Sequence, residues 1–381
     1  MNPDFGLTED QGSVVGAVRR FVADRVAPQA ADHEERKEFP RDLFRGLCDL
    51  GLGGIPYQDR YGGGGQGYLT YLAVLEEVAA GSLSLAVGLS VHHLSAFGIH
   101  EFGSESLKEK YLPKLFSGEW LGAYALSEAA SGSDAAALRT RAERDGDAWK
   151  LTGTKRFISH GGEADYYLVM ARTGDASPSG ISAFAVEKGW PGFEFGKLEA
   201  KMGWHASPMR ELLFDGCQVP GENLVGEEGE GFPVALAALD AGRLGIAACS
   251  VGLGRAALDA AVAFTRERTQ FGRPVIEFQG LQFLLADAAT QIEAARASPT
   301  EQAAIPSRPA SRAARATVNP WPSSPTRLSP GTRHPSNRSS RIGEACHPIL
   351  ASSFPNSNPG QPFSTANAEM PLGEVSPVRA M

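Results

Sequence analysis

The spacing of apolar positions divides the chain into stretches of different period. Val14, Val15, Val18, Phe21 and Val22 recur at helical spacing, and so do Leu43, Phe44, Leu47 and Leu50, with Thr8 and Glu9 reading as a helix start and Gly51 as a stop. Residues 68–80, 83–102 and 107–116 continue this period, so residues 1–119 are expected to be helical throughout. Near Trp120 the pattern changes to short runs rich in aromatic and β-branched residues. These are 149–152, 166–171, 181–186, 211–214 and 217–219, separated by turn signals such as Asp145-Gly146 and Ser179-Gly180. Residues 120–226 therefore read as a β domain. A long helical stripe returns over 231–268 (Phe232, Leu236, Leu239, Arg243, Ile246, Leu253, Leu258, Val262), and a second runs over 278–297 (Leu281, Leu284, Leu285, Ala288, Ile292).

The expected class is α+β: an N-terminal helical domain (1–119), a central β-barrel-like domain (120–226), and a C-terminal helical bundle to which residues 227–297 contribute two helices. Two amphipathic helices joined by the turn Phe271-Gly272-Arg273-Pro274 cannot bury both apolar faces against each other. A bundle needs further helices, and none is legible after Ala297.

Composition explains why. Residues 298–381 hold 14 of the 25 prolines, 14 serines and 3 leucines, with no Lys, Asp or Tyr, and 8 Arg stand against 4 Glu. Proline at that density removes amide donors, and so few aliphatic residues cannot offset the entropy of ordering the chain. The segment is expected to be disordered. Two origins fit: a Pro/Ser/Arg-rich tail, or translation out of frame after Ala297 in a GC-rich gene.

The 381 residues carry a formal charge of −8 with pI ≈ 5.6, which argues against a basic nucleic-acid binder. The start, Met1-Asn2-Pro3-Asp4-Phe5, lacks a basic region followed by an apolar one, and no uninterrupted apolar window long enough for a membrane span is legible. The expectation is a cytoplasmic protein. Cys48, Cys217, Cys249 and Cys346 are scattered without C-x-x-C spacing, which suggests neither a disulfide framework nor a zinc site.

Most motif matches fail on context. Gly62-Gly63-Gly64-Gly65-Gln66-Gly67 satisfies G-x-G-x-x-G, but it lies among helices with no strand before it and reads as an inter-helix loop. Gly252-Leu253-Gly254 lies inside a helix. His92 and His93 are adjacent, so they point to different faces and do not make a metal pair; His33 and His205 have no partner close in sequence. No metal site and no G-x-S-x-G or Cys/His nucleophile arrangement is expected. The informative stretch is Tyr124-Ala125-Leu126-Ser127-Glu128-Ala129-Ala130-Ser131-Gly132-Ser133-Asp134. Small residues and hydroxyls let its backbone approach a planar or phosphorylated ligand, although a capping turn would use the same residues.

This loop, Leu151-Thr152-Gly153-Thr154-Lys155-Arg156-Phe157-Ile158-Ser159, Lys201-Met202-Gly203-Trp204, and Arg268-Thr269-Gln270-Phe271-Gly272-Arg273-Pro274 with Gln279 occur in the order found in the flavin-dependent acyl-CoA dehydrogenase family, which residues 5–297 resemble. The resemblance implies FAD in a cleft between the β domain and the C-terminal helices, with an acyl-CoA thioester against its ring. Tyr124, Leu126, Ser127, Gly132 and Ser133 would line the flavin, with Ser133 also near the CoA, and Phe157, Ile158 and Ser159 would cover the other side. Arg268, Phe271 and Gln279 would reach FAD across a subunit interface, where arginine's fixed fork of donors suits a pyrophosphate. Asp240 and Arg243, one turn apart on a helix, would face the CoA. The implied reaction is α,β-dehydrogenation of the thioester, with electrons passed on to an electron-transferring flavoprotein. A homo-oligomer is implied as well, although half of the bundle that builds it is not legible.

One departure stands out. The family's catalytic base is a glutamate, either in a late segment resembling Tyr-Glu-Gly-Thr or, in a minority, immediately before the arginine that here is Arg243. Gly242 occupies the second place, and Glu301, Glu344, Glu369 and Glu374 lack the neighbours of the first. No catalytic residue is assigned, and the chain is expected to be inactive. The open alternatives are a non-catalytic partner subunit of a complete enzyme and a misread product without activity. Ala129 also replaces the proline usual after the loop glutamate, which should loosen the loop slightly.

Overall fold

The computed structural model of the chain describes residues 7–304, with side chains to residue 297. Helix α1 (Glu9–Phe21) opens with a capping box in which Thr8 Oγ1 accepts the Gln11 amide and the Gln11 side chain accepts the Thr8 amide. A single π-helical turn, Val22–Val26, joins it to α2 (Ala27–Arg36). Pro28 in the first turn of α2 has no amide to give, and the ladder shifts to i→i+5 just ahead of it. Helices α3 (Arg41–Asp49), α4 (Tyr68–Gly81), α5 (Leu83–Phe102) and α6 (Glu105–Phe116) follow. The glycine-rich stretch 62–67 is the loop leading into α4, as expected.

Eight strands form one sheet: β1 (Gly122–Ala125), β2 (Arg141–Asp145), β3 (Ala148–Ser159), β4 (Tyr166–Arg172), β5 (Ile181–Glu187), β6 (Phe193–Phe195), β7 (Met209–Pro220) and β8 (Leu224–Val225). Their order is β6-β7-β3-β2-β4-β5-β8, with β1 parallel to β4. Two strands expected separately, 211–214 and 217–219, are one. Leu151 pairs with Cys217 and Thr152 with Asp215, so Gly216 is bulged out at φ +67° and the strand continues past it. The core is built on Trp149, Tyr166, Tyr167 and Phe184 from the sheet and on Tyr71, Leu75, Leu85 and Leu89 from α4 and α5.

Helix α7 (Gly231–Glu267) is a 37-residue rod, about 55 Å long at 1.5 Å per residue. It packs on α4 and α5, closely enough that a Cβ on Gly252 would lie 2.2 Å from Glu76 O. A hairpin of β9 (Thr269–Gln270) and β10 (Arg273–Pro274) turns the chain into α8 (Gln279–Ala304). Helix α8 therefore does not stop at Ala297 but crosses the compositional seam and runs to Ala304. The reading of the tail as disordered or out of frame otherwise lies outside the described residues.

Helices α5 and α7 are both long and apolar enough to cross a membrane by length and hydropathy, although neither is uninterruptedly apolar. Helix α5 is a core helix, with 72% of its most apolar window buried in the protein.

Candidate active site

Strand β1 delivers the serine-rich loop. It is inserted beside β4, and its end meets α7, where the half-buried Tyr124 donates its hydroxyl proton to Ala235 O at 3.2 Å. Leu126 is buried, and Ser127 is half-buried with its carbonyl accepting the Arg156 amide at 2.8 Å. Gly132 and Ser133 are exposed, and a Cβ on Gly132 would meet nothing within 4 Å. The hydroxyls of Ser127, Ser133 and Ser159 make no hydrogen bond among the described residues, whereas the buried Ser131 spends its hydroxyl on Asp134 O and Ala135 O.

The loop is stapled from below by one ion pair. Lys155 is fully buried and donates to Glu128 Oε1 at 2.7 Å and to Leu126 O at 3.1 Å. Glu128 also accepts the Arg139 amide at 2.7 Å and the Thr140 amide at 3.0 Å, so it ties both ends of the loop together. Burial pushes the Lys155 ammonium down to about 8 against the pull of Glu128. Burial alone would push the Glu128 carboxyl up, but Lys155 and the amides of Thr140 and Arg139 together hold it below its ordinary value.

Beside the loop, β3 breaks its pairing with β7 between Lys155 and Ile158. Phe157 sits in this irregularity at φ +59°, a conformation costly for an aromatic residue, and its ring is turned outward and 56% exposed. Ile158 is buried and Ser159 is half-buried. Trp204, at φ +38°, is a second exposed aromatic ring on strained backbone. An exposed ring held in a strained conformation, on a strand tied to the loop through the Arg156 amide and Ser127 O, together with hydroxyls that have no partner among the described residues, fits a flat polar-edged ligand such as the flavin of FAD.

Asp240 and Arg243 lie on α7 five and eight residues beyond the Tyr124 contact, where they form an exposed ion pair with each other. Between them Gly242 faces α5, and a Cβ there would come 3.0 Å from a terminal carbon of Leu94. Arg268, Phe271 and Gln279 are not brought to this cleft. All three are exposed near the far end of α7, about 40 Å along the helix from Asp240, with Phe271 92% exposed at φ +51°. Burial pushes the Glu76 carboxyl up, far from the loop on α4, and it is held by Arg255 at 2.8 Å and Arg296 at 2.9 Å. Among the described residues no group of three or more His, Cys, Asp or Glu could hold a metal.

The comparisons with known proteins fit this layout. Three family models match in succession: acyl-CoA dehydrogenase N-terminal domain over residues 8–119, middle domain over 123–217 and C-terminal domain over 229–316. The chain belongs to the acyl-CoA dehydrogenase family of FAD-dependent oxidoreductases. It is 43% identical over 296 residues to isobutyryl-CoA dehydrogenase of Dictyostelium discoideum, covering 77% of this chain and 71% of that one. It is 45% identical over 292 residues to an acyl-CoA dehydrogenase of Bacillus subtilis, covering 76% and 77%. The solved butyryl-CoA dehydrogenase of Megasphaera elsdenii superposes with a TM-score of 0.76 at 40% identity, over 79% of this chain and 80% of that one.

Lys155 carries a signal in the sequence that motif matching does not use. Trp149 and Leu151 mark the inward parity of β3, and Lys155 falls on the same parity. A lysine at an inward strand position requires a buried partner, and Glu128 is the acid of the adjoining loop.

Proposed function

We propose that the chain binds FAD and a short or branched acyl-CoA thioester in the cleft between the 124–133 loop and the first half of α7, as an acyl-CoA dehydrogenase without its own base. The observation that carries the reading is the strained, outward Phe157 on the strand tied to the loop at Ser127, with the hydroxyls of Ser127, Ser133 and Ser159 free of partners among the described residues. Tyr124, Leu126, Ser127, Gly132 and Ser133 would hold one side of the flavin, and Phe157, Ile158 and Ser159 the other. Ser133, Asp240 and Arg243 would meet the CoA portion, whose phosphates suit the guanidinium of Arg243 once it gives up Asp240. Arg268, Phe271 and Gln279, too distant along α7 to act in the same cleft, would serve the flavin of a second copy. Bound FAD supplies the acceptor for the hydride that leaves the β carbon. The chain's own part is to orient the thioester and exclude water. Removing the α proton needs a carboxylate that no described residue provides, because the place before Arg243 is Gly242. Electrons would pass to an electron-transferring flavoprotein. The buried thiols of Cys48, Cys217 and Cys249 suit a reducing cytoplasm.

The test is the visible spectrum of the purified protein under anaerobic conditions. A flavin band that stays unbleached on addition of butyryl- or isobutyryl-CoA is expected. The Gly242→Glu variant, whose Cβ would come 3.0 Å from a terminal carbon of Leu94, is expected to bleach. Absence of flavin would overturn the reading of the cleft, and bleaching of the unmodified chain would show that a base is present.

A further inference from the structure

The entry to the loop is held by two imidazoles acting on one residue. The Gly122 amide donates to His92 Nδ1 at 3.0 Å, and Gly122 O lies 3.0 Å from His160 Nδ1. These partners fix the tautomers. His92 Nδ1 accepts, so its proton is on Nε2, which donates to Leu115 O at 3.1 Å. His160 Nδ1 faces a carbonyl and carries the proton, which leaves Nε2 a bare acceptor, buried and without a partner among the described residues. That nitrogen is wedged against α5, where a Cβ on Gly88 would lie 3.0 Å away, and the ring packs on Phe39. Both imidazoles are essentially inaccessible to water. Gly122 has no slack either, since a Cβ there would meet Ser95 Oγ at 2.1 Å.

We propose that His92 and His160 are positioning residues for the flavin, clamping Gly122 so that the loop that follows it is presented to the cofactor, and that acid opens the clamp and releases the flavin. The inference rests on the flavin reading of the loop. A proton on His92 would remove the acceptor of the Gly122 amide. A proton on His160 would put a charged donor where nothing can receive it.

The surroundings offer no compensation. His92 is faced by His93, His160 and Arg41, and His160 by Arg41 and Lys201. Arg41 is paired with Asp165, whose carboxylate also accepts the Leu121 amide, so the acid at this end of β1 is already taken. Burial pushes His160 down to about 4 and His92 well below its ordinary value. The clamped state thus binds fewer protons than a released one between about pH 6.5 and 4, and the clamp weakens as pH falls through that window.

Asparagine separates the bond from the titration. Its amide reaches from the same place as Nδ1, accepting through Oδ1 at position 92 and donating through Nδ2 at position 160, where the left-handed φ of +64° suits it. The experiment measures retention of FAD by the full chain from about pH 7.5 to 4, together with nitrogen-15 NMR of the imidazoles near pH 7.5. Wild type is expected to release flavin within the window, with His92 in the Nε2–H form and His160 in the Nδ1–H form. H92N/H160N should keep the neutral-pH Kd within about threefold and release flavin about one pH unit lower, whereas H92A/H160A should raise the Kd about tenfold or more near pH 7.5. Wild type that binds flavin with no loss down to about pH 4, the opposite tautomers, or an unshifted release in H92N/H160N would overturn the clamp. A wild-type chain that binds no flavin at neutral pH but shows the expected tautomers would instead overturn the reading of the loop.

Discussion

Helices α5 and α7 are alike in apolar character and opposite in setting. Mean hydropathy over their most apolar windows is 1.2 and 1.6, yet the less apolar α5 has 72% of that window buried and the more apolar α7 only 39%. Neighbours explain the inversion. Helix α5 is enclosed by α4, α6, α7 and β1, so even its polar residues are interior, and His92, His93 and Ser95 find backbone carbonyls as partners. Helix α7 is covered along one side only, and Leu236 at 44% and Ile246 at 42% exposure lie on the open side of its first half. Further along it shows Leu253 at 45% and Phe264 at 61% exposure, and α8 adds Phe283 at 60% and Leu284 at 66%. Large apolar side chains exposed along both helices suit a contact face. Hydropathy alone therefore does not report burial in this protein; the number of packed neighbours does.

The two helices are also secured differently, and substitutions can separate the modes. Helix α5 is held by packing, while α7 and α8 are tied to α4 through ions. Glu76 receives Arg255 and Arg296, and Glu77 receives Arg255 and Arg19 at 2.8–2.9 Å. Glu76→Ala takes one acid from Arg255, which keeps Glu77, and one from Arg296, which keeps Glu293, and we expect a loss of about 3 kcal/mol in denaturant unfolding. If the loss is under about 1 kcal/mol, the ionic tie is incidental.

Gly252→Ala is next, at about 1–3 kcal/mol, because its Cβ collides with the Glu76 carbonyl and the helices must separate. A neutral outcome would mean that α7 rides loosely on α4. Acid should act mainly through the α5 side of the comparison. His93 and His160 are pushed down to about 4, so stability is expected to decline as pH falls from about 6.5 to 4. The carboxylates of the tie partly cancel: Glu77 is held low and loses stabilisation as it protonates, whereas Glu76 is pushed up and its protonation relieves a cost. Thermal melts across this range check the sign. Leu284→Ser is expected to change stability by no more than about 0.5 kcal/mol in the isolated chain while raising its solubility. A larger loss would show that Leu284 is packed within the chain itself and that the face is not open.

Much of this was legible in advance, for physical reasons that differ by element. The long helices announced themselves because one face must be apolar over many turns, and the strands with β-branched and aromatic runs did so by composition. Strand β1 was not legible, since four residues give no alternation. Strand β2, Arg141–Asp145, buries Ala142 alone and reads as polar coil. The serine-rich loop could be found from its small residues. Its foundations could not: Lys155, His92 and His160 act through contacts made 27 to 38 residues away in the chain. The left-handed backbone of Phe157 leaves no trace in a pattern of apolar positions.

The unbroken length of α7 has a mechanical consequence. The helix carries the Asp240–Arg243 pair near one end and passes into the Arg268 hairpin at the other, with no proline after its first turn to act as a joint. A stiff beam pinned as far as Arg255 converts rotation into travel. At about 20 Å from that pivot each degree of tilt moves the free end by about 0.35 Å. Anything that grips the hairpin therefore pulls on the cleft with a long lever arm, so that loading one end and aligning the other are one motion.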